Sequence, residues 1–128
     1  MSFLLDTQII LWGYLEPERL SETARSILED VNSNLVFSAA NLWEIAIKRG
    51  LERSGFQVDP RVIRGRMLND RYAELPIQSQ HVVAVDSLPP IHKDPFDRIL
   101  IAQAMVEGLT LLTADRLIAQ YPGPIRKV

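Results

Sequence analysis

Short apolar runs alternate with helix-period patterns along the whole chain. Phe3-Leu4-Leu5, closed by Asp6, is the pattern of a short buried strand. Ile9, Ile10, Trp12, Gly13 and Leu15 predict a first helix stopped near Pro17. Ser21 is placed to cap a second helix that carries Ala24, Ile27, Leu28 and Val31. Residues 35–38 read as the next strand. In the helix that follows, Trp43, Ala46, Ile47, Gly50 and Leu51 recur at i, i+3, i+4, i+7 and i+8, which predicts a stripe facing the core. Pro60 opens a basic helix to about Arg71. A short strand at 73–76, a helix at 79–87 and a loop at Pro89-Pro90 come next. Asp94-Pro95 starts a long helix through Gly108, residues 110–113 form the clearest strand, and a short helix to about Gln120 precedes a last strand at 125–128. Strands without polar alternation, separated by helices, predict a parallel sheet covered on both faces. A single α/β domain over residues 1–128 is expected.

Composition agrees with that. A chain of 128 residues with 47% hydrophobic and 23% charged residues fits one core and is too apolar for disorder. The absence of cysteine excludes disulfides, thiolate metal sites and a cysteine nucleophile together. No apolar run approaches the roughly 18 residues that cross a bilayer, and the start, Met1 to Asp6, lacks the basic flank of a signal peptide. The expectation is a soluble, cytoplasmic protein. Net charge is only −2, but Lys48, Arg49, Arg53, Arg61, Arg64, Arg66 and Arg71 face only Glu52, Asp59 and Asp70 within residues 48–71, a local +4. That segment is either a solvated helical face or a surface for phosphates.

Four carboxylates carry the candidate chemistry. Asp6 follows the first strand and Asp115 the strand at 110–113, so both fall beyond the carboxyl ends of strands, where open parallel sheets bind ligands. Asp97 lies in the first turn of the long helix, and Glu44 in the first turns of the helix after the second strand. Each has a local explanation. Asp6, Asp94 and Asp115 could cap helices, Asp97 would favour a helix dipole, and Glu44 could pair with Lys48 at i,i+4. Four caps need not converge on one sheet end, however. Converging carboxylates repel one another unless a cation neutralises them, and oxygen ligands suit Mg²⁺ or Mn²⁺ better than Zn²⁺. His81 and His92 are not spaced as a ligand pair; His81 reads as a surface or packing residue, and His92 as a loop residue near the site.

Leu4-Leu5-Asp6-Thr7-Gln8 with Leu11-Trp12, and the run from Ser38 to Lys48 around Asn41-Leu42-Trp43-Glu44, resemble the opening half of VapC-type PIN domains. The run from His92 to Ala104, containing Asp94-Pro95-Phe96-Asp97-Arg98, is similar to their third motif, and Glu107 to Asp115 to their fourth. The likeness spans nearly the whole chain in the same order. It implies a sheet of about five parallel strands flanked by helices, and Mg²⁺- or Mn²⁺-dependent endoribonuclease activity as the toxin of a toxin–antitoxin pair. By position it makes Asp6, Glu44, Asp97 and Asp115 the catalytic and metal-binding acids, with Thr7 and Thr113 supporting them by hydrogen bonds. It selects Asp97 over Asp94, which is left as a helix cap able to reach a metal through water. Lys48, Arg49, Arg61, Arg64, Arg98 and Arg116 are the candidates for RNA contact.

A response-regulator receiver domain would need an acidic pair after the first strand, and a haloacid-dehalogenase-like phosphatase an Asp-x-Asp there. Asp6-Thr7-Gln8 offers neither. The remaining alternative is a PIN-fold RNA-binding protein or a housekeeping nuclease without a toxin role. The resemblance also implies a homodimer and a small cognate antitoxin. Ile45, opposite the Trp43/Ile47 stripe, together with Leu42, Ile9, Trp12 and Leu15, supplies apolar surface for such partners unless the basic helix covers it within one chain.

Overall fold

In the computed structural model, which describes residues 1–51 and 55–128, five parallel strands form one sheet in the order β3-β2-β1-β4-β5. The chain runs β1 (Ser2–Leu5), α1 (Thr7–Leu15), α2 (Glu22–Glu29), β2 (Asn34–Ser38), α3 (Ala39–Gly50), α4 (Pro60–Asn69) and β3 (Ala73–Leu75). It continues through α5 (Ser79–Val85), α6 (Pro95–Glu107), β4 (Thr110–Thr113) and β5 (Ile125–Lys127). Phe3 pairs in register with Leu35 on one side and Thr110 on the other, so β1 is central. The chain winds outward from β1 to β3, then crosses back through α5 and α6 to lay β4 beside β1. The crevice between the carboxyl ends of β1 and β4 is therefore where the winding reverses, the usual ligand position in such sheets.

The period of two along each strand sorts side chains between the faces. Phe3, Leu5, Leu35, Phe37 and Leu112 pack with Ile9 and Ile10 of α1, Ala24 of α2, Ile45 of α3, and Ile63 and Met67 of α4. Leu4 and Leu111 pack on the opposite side with Ile99 to Ala102 of α6, Ile118 and Tyr121. Burial on both faces is why the central strands β1 and β4 carry apolar runs, whereas the edge strands β3 and β5 admit Glu74, Arg126 and Lys127.

Local signals act as their chemistry predicts. Ser21 Oγ accepts from Ala24 N at 3.1 Å, Asp59 caps α4 ahead of Pro60, and Asp94 Oδ1 accepts from Phe96 N at 2.8 Å ahead of Pro95. Gly108 ends α6 at φ 68°, a conformation that costs glycine little. Val31, expected on α2, lies beyond its end and is exposed.

One expectation is inverted. The stripe on α3 faces solvent, with Trp43 55%, Ile47 44% and Leu51 54% exposed, while Ile45 is completely buried. The cause is α4. Its Ile63 and Met67 join Ile45 in the core, so the basic helix covers the face expected to be surplus. Periodicity locates two apolar faces on α3 but not which of them its neighbours cover.

Candidate metal centre

The first acid follows directly from the sheet. Asp6 N donates to Leu112 O at 3.0 Å, extending the β1–β4 ladder by one residue. Asp6 occupies the N-cap position of α1, yet its side chain makes no capping hydrogen bond. Its Oδ2 accepts from Thr113 Oγ1 at 2.8 Å instead. The same hydroxyl accepts from Asp115 N at 3.0 Å, so the last residue of β4 orients both acids.

Asn41 fixes the third segment. Ser38 and Asn41 form a reciprocal cap at the start of α3, with Ser38 N donating to Asn41 Oδ1 at 2.7 Å. Asn41 Nδ2 donates to Leu5 O at 3.1 Å and to Thr7 Oγ1 at 2.9 Å. A single buried amide thus ties the end of β1 to α3, which carries Glu44. Among the described residues Thr7 hydrogen-bonds to Asn41 rather than directly to an acid, so any support it gives the site passes through Asn41. Asn41 was within the run of residues noted in the sequence but not singled out; its spacing of three from Ser38 is the signal for it.

Asp97 sits at the third position of α6, where Asp94 Oδ1 accepts from its N–H at 3.4 Å. Its Oδ2 lies 2.8 Å from His92 Nε2. Asp6, Glu44, Asp94, Asp97, Asp115 and His92 all line one cleft of about 570 Å³, with Lys48, Gln8, Trp12 and Arg19 on its wall. Local roles coexist with this convergence. Asp115 Oδ1 accepts from Leu117 N at 2.7 Å, and Glu44 Oε2 pairs with Lys48 Nζ at 3.0 Å.

Crowding shows in the protonation of these groups. Burial raises the Asp6 carboxyl from 3.8 to about 6 against the lowering effect of Thr113, with Glu44 and Asp115 adding to the rise. Burial also raises Asp97 to about 8, reinforced by the charges of Asp6, Asp94, Glu44 and Asp115. Among the described residues, Glu44 Oε1 is buried without a hydrogen-bond donor. A buried carboxylate oxygen without a donor, on a residue that lines a cleft with other carboxylates, is a costly arrangement that a cation would relieve. The donor set therefore fits a metal ion. Among the described residues, His92, Asp94 and Asp97 each offer a ligand atom within 4.8 Å of the others.

The family model of the PIN domain matches residues 3–124. This chain belongs to the PIN domain family. Ribonuclease VapC22 from Mycobacterium tuberculosis is 28% identical to this PIN domain over 122 residues, 94% of this chain and 92% of its own length. Among solved structures, VapBC2 from Rickettsia felis bound to a DNA fragment of its promoter superposes with a TM-score of 0.75 at 15% identity, covering 100% of this chain and 99% of the other. A toxin–antitoxin complex from Klebsiella pneumoniae matches at 0.63 and 18% identity, over 98% of each chain. These structural likenesses establish the same fold.

The expected RNA-contact residues separate on this PIN domain. Arg98 is a correction. Its guanidinium donates to the carbonyls of Val85 at 3.2 Å, Pro89 at 3.0 Å, Leu88 and His92, and to Tyr121 Oη at 3.1 Å. It braces the loop before α6 and does not offer itself to a phosphate. Arg64 is engaged by Glu74 through three hydrogen bonds of 2.8 to 3.3 Å, and Arg49 pairs with Asp59 at 3.3 Å. Arg66 stacks on Tyr14. Lys48 alone of the set reaches the cleft, while Arg61 and Arg116 are exposed. Arg53 lies outside the described residues. Arg19, which the sequence did not single out, stacks its guanidinium 5.0 Å from the Trp12 ring at the cleft wall. His81 is fully buried and links Gln78 N to Glu107. No helix is long and apolar enough to cross a membrane among the described residues.

Proposed function

We propose that this PIN domain is a divalent-metal-dependent endoribonuclease that acts as the toxin of a toxin–antitoxin pair. The observation that carries the reading is the convergence of Asp6, Glu44, Asp97 and Asp115, from four separate segments, on one cleft at the reversal point of the sheet. Asp6, Glu44, Asp97 and Asp115 would hold Mg²⁺ or Mn²⁺. Such an ion would supply Lewis-acid chemistry: coordination of a phosphate oxygen, acidification of a water and stabilisation of the departing oxyanion. The chain's own residues supply orientation. Thr113 aims Asp6 and the backbone of Asp115, and Asn41 sets Glu44 relative to β1. Lys48 Nζ, paired with Glu44, and the Arg19 guanidinium, paired with Glu16, are two cationic groups of the cleft that would exchange these partners for the phosphates flanking the scissile bond. The ribonuclease assignment is supported by the VapC22 relative, and the antitoxin partner by toxin–antitoxin complexes among the structural neighbours.

The exposed Trp43, Ile47 and Leu51 face on α3 replaces the Ile45 face as the surface for a second copy of the chain. Purified protein and the Asp6→Asn variant, each incubated with total RNA with and without Mg²⁺, test the chemistry through mapped cleavage ends. Metal-dependent cleavage by the wild type, absent in the variant, is the expected result; equal cleavage by both would overturn it. Expression of the wild type should arrest growth and co-expression of a neighbouring antitoxin should restore it. Cleavage in vitro without toxicity on expression would make the protein a housekeeping nuclease.

A further inference from the structure

His92 stands outside the four acids, yet its place beside them is built. His92 N donates to Tyr121 Oη at 2.7 Å, and Tyr121 Oη donates back to His92 O at 3.1 Å. Arg98 Nη1 donates to the same carbonyl at 3.4 Å and to Tyr121 Oη at 3.1 Å. Residues from α6 and from the turn before β5 therefore clamp the backbone of a loop residue, leaving its imidazole Nε2 2.8 Å from Asp97 Oδ2. Neighbouring ligands of an octahedral ion at about 2.1 Å are roughly 3 Å apart, and opposite ones about 4.2 Å. The His92, Asp94 and Asp97 atoms, all within 4.8 Å of one another, are close to that spacing. Glu44 lines the same cleft, and among the described residues its buried Oε1 has no donor although its Oε2 pairs with Lys48, an independent sign that a cation completes the site.

We propose that His92, Asp94 and Asp97 form a nitrogen-containing metal position that shares Asp97 with the four-acid set, and that His92 makes the centre prefer a first-row transition ion such as Mn²⁺ over Mg²⁺. Mg²⁺ takes oxygen ligands, whereas an imidazole nitrogen adds affinity for the first-row series. The inference rests on reading the cleft as a metal centre, and the test separates the two. Calorimetric titration of the full chain with Mn²⁺ and with Mg²⁺ is combined with pulsed electron paramagnetic resonance of the Mn²⁺-loaded protein. The chain has two histidines, and His81 is buried against Gln78 and Glu107, so an imidazole ¹⁴N coupling is assignable to His92.

The wild type should show that coupling. His92→Ala should lose it and weaken Mn²⁺ binding by at least about tenfold, with a much smaller change for Mg²⁺. His92→Gln, which keeps a polar group of similar length, serves where the alanine variant does not fold, and should lose the coupling equally. Mn²⁺ bound by the wild type without nitrogen coupling, or an unchanged preference between the two ions in the variants, overturns the role of His92 and leaves the nuclease reading intact. Failure of the wild type to bind either ion at millimolar concentration overturns the metal centre itself.

Discussion

Thr113 Oγ1 donates to Asp6 Oδ2 at 2.8 Å, joining the last residue of β4 to the residue that follows β1, 107 positions earlier in the chain. The hydroxyl is fully buried and also accepts from Asp115 N, so one side chain sets two of the four acids. Thr113→Val keeps the shape and removes both bonds. We expect a loss of about 1 to 3 kcal/mol in stability, read by urea denaturation. Because this bond lowers the Asp6 carboxyl, the acidic limb of the cleavage profile should move to higher pH in the variant. Thr113→Ser should restore most of both; an unmoved profile would show that Thr113 only packs.

Asp97 gives the metal-free protein an unusual dependence on pH. Its carboxyl is raised by burial and neighbouring acids to about 8, and that of Asp6 to about 6, from the usual 3.8. Between about pH 4 and 8 the folded chain keeps protons that the unfolded chain has released. The stability these groups contribute is thus present below pH 4 and lost as pH rises through 6 and 8. We expect the melting temperature without metal to fall across that window and Asp97→Asn to flatten the fall, leaving the variant more stable than the wild type at pH 8.5. Glu74, held below its usual range by hydrogen bonds from Arg64, acts in the opposite sense, but only as pH drops towards 4 and below. A variant less stable than the wild type at pH 8.5 would mean that the helix-end role of Asp97 outweighs its repulsion.

Arg98 tests the corrected assignment. Arg98→Met would remove the guanidinium's hydrogen bonds to the carbonyls of Val85, Leu88, Pro89 and His92, of which Val85, Pro89 and His92 keep a second donor in Leu88 N, Ile91 N and Tyr121 Oη, and should cost about 1 to 3 kcal/mol. The salt dependence of RNA binding, measured with the metal-binding acids neutralised, should keep its slope. Lys48→Ala should instead reduce that slope by about 1, the value for one lost phosphate contact. Equal slopes for Lys48→Ala and the parent would remove Lys48 from the RNA surface.

On α3, Ile47→Glu replaces an exposed side chain and should change monomer stability by no more than about 0.5 kcal/mol. Sedimentation should nonetheless show the wild type as a dimer and the variant as a monomer. Ile45→Glu, by contrast, places a charge in the core and should prevent folding. A dimer that survives Ile47→Glu would place the interface elsewhere.

What the sequence determined by itself were the features written in local chemistry. Ser21, Asp59-Pro60, Asp94-Pro95 and Gly108 bound their helices because capping and φ preference depend on a few neighbouring residues. The apolar runs at Phe3 to Leu5 and at 110–113 marked β1 and β4, and with them the positions of Asp6 and Asp115, because strands buried on both faces admit little polar alternation. Tertiary structure decided what depends on partners distant in the chain. Whether Ile45 or Trp43 faced inward was settled by Ile63 and Met67 arriving from α4, since a helix with two apolar faces carries no local signal for which is covered. Arg98 became a brace because its side chain reaches the carbonyls of the loop before it and Tyr121, and Arg64 was engaged by Glu74 from β3. His92 came within 2.8 Å of Asp97 through a clamp made by Tyr121, 29 residues away, which no local pattern around His92 encodes.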